Sequence, residues 1–107
     1  MPLYVIYATD KADSLQERLN HYAAHRAYVE AQDEIKRVAV VFSGPLQTDN
    51  GEAMVGSMIM LDAPNRDAVM EFVADNPFYK AGIWDNVSVT RFHCRHATSR
   101  TLKSFLS

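Results

Sequence analysis

Leu3-Tyr4-Val5-Ile6-Tyr7-Ala8 is β-branched and aromatic and stops at Thr9-Asp10-Lys11, so it reads as a strand. Alternate residues of a strand point to opposite faces. Leu3, Val5 and Tyr7 therefore oppose Tyr4, Ile6 and Ala8, and both faces are apolar. A sheet built on such a strand needs cover on two sides.

The chain after it supplies one side. Ser14-Leu15-Gln16-Glu17 has the form of a capping box, and a helix is expected from there to about Asp33. Its apolar stripe is Leu15, Leu19, Tyr22 and Val29, with Ala23, Ala24 and Ala27 favouring helix and close packing. Arg37 to Ser43 reads as a second strand stopped by Gly44-Pro45, and Val55 to Leu61 as a third, the two joined by the polar turn Gln47 to Glu52. Asp62-Ala63-Pro64-Asn65 carries cap-type residues before Ala68, Val69, Phe72 and Val73 at helical spacing, and this second helix must end before Pro77. Val87 to Phe92 is a fourth strand. The order is βαββαβ, an α+β domain.

Two helices that link strands of one sheet cover the same face. The other strands repeat the problem of the first: Val38, Val40 and Phe42 oppose Ala39 and Val41, while Val55, Ile59 and Leu61 oppose Met58 and Met60. No further chain is available to cover the second face, so a second copy is the simplest partner, and two sheets packed face to face would make a dimeric α+β barrel. A homodimer is expected. Residues 1–94 hold the domain, and 95–107 form a tail that is polar except for Leu102, Phe105 and Leu106, part of the same domain or docked on the partner copy.

The 107 residues suffice for one core, and a net charge of −2 gives no field that would attract nucleic acid or an anionic membrane. Cys94 is the only cysteine, which excludes an intrachain disulfide and a multi-thiolate zinc site. With no export signal and no run of membrane-spanning length, a cytoplasmic location is expected.

Phosphate loops, nucleophile elbows and HExxH are absent, and no cofactor or metal is expected. The chemistry left is centred on histidine. His25 flanks the helix stripe and should be half-buried, and Arg18 lies seven residues earlier on almost the same meridian, roughly 10 Å along the axis. An imidazole can move protons and an arginine can hold an oxyanion. From spacing alone the plainer alternative carries more weight: a histidine hydrogen-bonded at the helix–sheet boundary with a surface arginine nearby. His21 and His25 have chelating spacing but no third ligand, His93 and Cys94 diverge on a strand, and Cys94 reads as a passive thiol. Asp75-Asn76-Pro77-Phe78-Tyr79 reads as a helix stop followed by packing residues.

Taken together, Leu3 to Ala8 with Asp10, Arg18, Ala24-His25, Ser43-Gly44-Pro45-Leu46, Gly56-Ser57, Asn76-Pro77-Phe78 and Ala81-Gly82 resemble the YCII (YciI-like) domain family over most of the chain. The resemblance implies a ferredoxin-like dimeric α/β barrel. It also implies a site histidine on the first helix, matched by His25, and a partner aspartate before the Pro-aromatic step. Here that position is Asn76, with Asp75 its neighbour. An amide can orient an imidazole through its carbonyl but brings no full charge. Arg18, Ser57, Ser43 and Phe78 are the expected substrate contacts. The implied activity is small-molecule lyase or isomerase chemistry, of which dehydrochlorination of a chlorinated hydroxyquinol in aromatic breakdown is one example. The alternative is a non-catalytic small-molecule-binding or accessory homodimer.

Overall fold

The computed structural model describes residues 2–35 and 37–106. Its elements are β1 (Leu3–Asp10), α1 (Leu15–Ile35), β2 (Ala39–Gln47), β3 (Met54–Asp62), α2 (Arg66–Asp75), α3 (Pro77–Lys80), β4 (Trp84–Phe92) and α4 (Arg100–Lys103). The four strands form one antiparallel sheet in the order β2-β3-β1-β4, the ferredoxin-like arrangement.

Register settles the faces. Ile6 lies opposite Ile59 and Val89, and Tyr4 opposite Leu61. These residues join Val69, Phe72, Val73, Phe78, Ile83 and Trp84 in the buried core. β2 runs on through Gly44-Pro45, where a stop was expected. It is an edge strand, and a proline costs no ladder hydrogen bond where the edge faces outward. Gly56 has a stricter role: a Cβ there would stand 2.2 Å from the Ala8 carbonyl oxygen, so the β1–β3 approach admits only glycine.

The first helix departs from its apolar pattern. Leu15, Leu19 and Tyr22 are exposed, and its fully buried residues are Arg18 and Gln32. With half-buried His25, these polar residues recur every seventh position on the inner face. Each has an internal partner, which is what permits its burial.

The segment after α2 departs as well. Asn65 caps α2 by accepting the Ala68 N–H at 2.9 Å, with Pro64 just outside the helix. Asn76 both ends α2 and opens the short α3, with Pro77 at its first position. The expected stop is also a start.

The second sheet face is partly covered by the chain itself, contrary to the expectation that no segment remained for it. Leu3, Met60 and Cys94 form a second small cluster against which Val5, Val41, Ala97, Leu102 and Phe105 pack. Tyr7, Phe42 and Phe92 stay exposed. No helix among the described residues is long and apolar enough to cross a membrane.

Candidate active site

At one end of the sheet, Ser57 of β3 stands between Pro45 of β2 and Ala8 of β1. Two residues further along β1, Asp10 faces Trp84 of β4. α1 passes over this end and lowers Arg18 onto it. Arg18 is 1 % exposed, and its guanidinium donates from Nε and Nη2 to the two Asp10 carboxylate oxygens at 2.6 and 2.8 Å. Nη2 also donates to Ser57 Oγ at 2.8 Å, and Trp84 Nε1 approaches the same hydroxyl at 3.4 Å. A buried charge is tolerated when paired and hydrogen-bonded in this way. Because Ser57 Oγ accepts on two sides, its own proton is left to donate elsewhere. Arg18 Nη1 makes no hydrogen bond among the described residues.

Phe78 is the platform of the site. It is fully buried, its ring stacks on His25 at 4.1 Å with planes 9° apart, and the Arg18 guanidinium carbon lies 4.4 Å from its centre. Phe78 thus stands behind the His25 and Arg18 side chains and is not among the residues that line the cavity described below. Trp84 meets His25 edge-on at 6.3 Å.

The same turn fixes the histidine's tautomer. Asn76 Oδ1 accepts the Phe78 backbone N–H at 3.0 Å and lies 2.9 Å from His25 Nδ1. An oxygen already held as an acceptor leaves Nδ1 as the donor, so neutral His25 keeps its lone pair on Nε2. Burial lowers the His25 pKa below 6.5 and the Arg18 charge adds to this, while the Asn76 bond works in the opposite direction. The imidazole is held as a free base. Asn76 Nδ2 is buried and makes no hydrogen bond among the described residues.

A cavity of about 270 Å³ opens above these groups. Arg18 and Ser57 form its floor, and His25 and Val29 its helix wall. Ser43, Gly44 and Pro45 of the edge strand face them, and Tyr22, Arg26 and Glu30 stand at the exposed rim. His25, Arg18, Ser57 and Ser43 therefore line one cavity. Asp75 lies elsewhere, in a separate hollow with Tyr28 and Gln32. There it helps burial push the Tyr28 pKa up to about 12. His21 bonds back to the Glu17 carbonyl of its own helix at 2.9 Å. Among the described residues no three His, Cys, Asp or Glu side chains group to hold a metal.

Sequence reasoning did not find the parts played by Asp10 and Trp84. The signal for Asp10 was available: an acid at a strand end, eight residues before an arginine entering a helix. Trp84 gave none, because only the sheet register brings it opposite Asp10.

Residues 2–93 match the model of the YCII-related domain. The protein YciI of Escherichia coli O6:H1 (strain CFT073) is 35% identical over 95 residues, covering 84% of this chain and 95% of its own. Among solved structures, 5-chloro-2-hydroxyhydroquinone dehydrochlorinase from Burkholderia phenoliruptrix AC1100, in complex with 2,5-dihydroxybenzoquinone, is 34% identical with a TM-score of 0.74. That match covers 84% of this chain and 92% of the other. An antibiotic biosynthesis monooxygenase shares the fold at 18% identity and a TM-score of 0.55, covering 88% and 98%.

Proposed function

Because the chain belongs to the family of YCII-related domain proteins, we propose that it is a small-molecule enzyme of lyase or isomerase type, with His25 Nε2 as the proton-transfer atom. The observation that carries this reading is the Phe78 N–H–Asn76–His25 chain, which leaves one basic nitrogen on a residue lining a cavity floored by Arg18 and Ser57. The substrate class is an oxygenated ring, in keeping with the dehydrochlorinase and its quinone ligand. Loss of HCl from a chlorinated hydroxyquinol needs no redox partner. One hydroxyl proton moves to the ring carbon that bears chlorine, a base takes a second hydroxyl proton, chloride leaves with the electron pair of its bond to that carbon, and a quinone remains. Ser57 Oγ and Arg18 Nη1 are the donors that would hold the substrate oxygen on which negative charge develops. Ser43 stands on the opposite wall.

Asn76 favours a second reading. A carboxylate there would stabilise the imidazolium formed by proton transfer, and an amide does so far less. A binding module that retains the cavity without efficient turnover is consistent with that loss. Chlorinated hydroxyquinols, catechols and lactones should be screened for thermal shift and for conversion together. Turnover abolished by His25→Ala with the fold retained supports the enzyme. Saturable binding without turnover supports the module, and neither response across the series sinks both.

The protein is further proposed to work as a homodimer through the outer sheet face, where Tyr7, Phe42 and Phe92 remain exposed beside the tail.

A further inference from the structure

The cavity changes character from floor to rim. Its floor cation, Arg18, is already neutralised by Asp10, and His25 is held neutral. At the rim stands a second arginine. Arg26 follows His25 directly on α1, its side chain is 68% exposed, and its Nε donates to Glu30 at 3.1 Å across one helical turn.

A solvated arginine–glutamate pair of this spacing is common and contributes little to stability. What sets this pair apart is its place and its unused edge. Both residues border the cavity, and Glu30 engages only Nε. Nη1 and Nη2 make no hydrogen bond among the described residues. They form the end-on fork of the guanidinium, which matches the two oxygens of a carboxylate. Glu30 holds the side chain along the helix and leaves this fork free. Tyr22, Val29 and Pro45 supply apolar surface around the cavity, suited to a ring.

Accepting the reading above that the cavity takes an oxygenated ring, we infer that Arg26 is a specificity-determining residue that selects rings bearing a carboxylate, with Glu30 as its positioning residue. The ring's hydroxyl end lies towards Ser57 and His25, and its carboxylate lies at the rim against the Arg26 fork. The site then discriminates by charge at the end of the substrate remote from His25.

Hydroquinone and 2,5-dihydroxybenzoate differ by one carboxylate and make the test, titrated calorimetrically under reducing conditions. The wild type should prefer the carboxylate by about fivefold, the size of a partly solvated charge pair. Arg26→Ala should abolish that preference. Arg26→Lys should restore it only in part, because an ammonium lacks the fork; Glu30→Ala, which releases the side chain, should reduce the preference, and Glu30→Gln, whose amide oxygen still accepts from Nε, should retain it. If hydroquinone binds and the carboxylate brings no gain, or if the gain survives Arg26→Ala, the assignment of Arg26 is wrong while the cavity reading stands. If neither compound binds, the cavity reading fails and takes this inference with it. Circular dichroism of each variant guards against a trivial loss of fold, which a substitution on an exposed helix position should not cause.

Discussion

His25 Nδ1 and Asn76 Oδ1 lie 2.9 Å apart, and the Phe78 backbone N–H has already fixed that oxygen as an acceptor. The pair couples a helix over the sheet to the junction between two other helices. Asn76→Asp puts a full negative charge at the same point, so the His25 pKa should rise, and the acid limb of any pH–rate profile should move to higher pH. Asp75→Asn should leave His25 unmoved and instead lower the Tyr28 pKa, since Asp75 acts on that phenol. Histidine NMR titration of both variants decides it: a His25 that ignores Asn76→Asp and responds to Asp75→Asn would make Asp75 the partner.

The lowered His25 pKa also makes stability depend on pH. The unfolded histidine titrates near 6.5 and the folded one below that, so between the two values the unfolded chain binds more protons. The contribution of His25 to stability is complete above 6.5 and is lost as pH falls through the lower, folded value. Urea midpoints should drop from pH 7.5 to pH 5, and His25→Gln should flatten part of that slope. An unchanged slope in the variant would mean that other groups carry it.

The strands were legible because β-branched alternation reports directly on a pleated sheet, and the histidine because its helix phase and its neighbours agreed. The inner face of α1 was not. Apolar periodicity pointed to Leu15, Leu19 and Tyr22, whereas burial falls on Arg18 and Gln32. A polar side chain goes inside only when partners satisfy it, and those of Arg18 lie on β1 and β3, outside any pattern within the helix. The dual role of Asn76 was half visible. Asn-Pro stops one helix and also has the residue types that start another, and only the fold decides that both occur.

The Arg18–Asp10 pair is nearly solvent-free, with side chains 2% and 5% exposed. Arg18→Met strands the Asp10 carboxylate and should cost about 3–5 kcal/mol. Combining it with Asp10→Leu removes the stranded charge and should recover much of that loss. Chemical denaturation of the single and double variants measures the difference. A double variant no more stable than the single one would show that Ser57 and Phe78, the other contacts of Arg18, carry its structural role.

Gly56→Ala tests the tight pairing of β1 and β3. The new methyl would press on the Ala8 carbonyl, which cannot swing away as a side chain could. The strands must part locally, at a cost of about 1–3 kcal/mol. Ser57 is the next residue, so the same shift should weaken ligand binding in a variant that remains folded. Gly44→Ala on the edge strand, where an added Cβ meets nothing within 4 Å, is the control and should leave stability nearly unchanged.

The last prediction concerns the outer face of the sheet. Tyr7 and Phe42 are 50% and 39% exposed there, while Leu102 and Phe105 of the tail cover the neighbouring part of the same face with the Leu3–Met60–Cys94 cluster. If a second copy covers the remainder, a charge at Tyr7 should oppose association without touching the helix-side core. Tyr7→Lys should therefore convert a dimer to a folded monomer in light scattering at micromolar concentration. Tyr79, 49% exposed on α3 and away from the sheet, is the control, and Tyr79→Lys should leave the dimer intact. A wild type that is monomeric and folded under these conditions would show that the tail alone is sufficient cover. A dimer that survives Tyr7→Lys would place the interface on another surface, and the exposed Leu15, Leu19 and Tyr22 of α1 would be next to test.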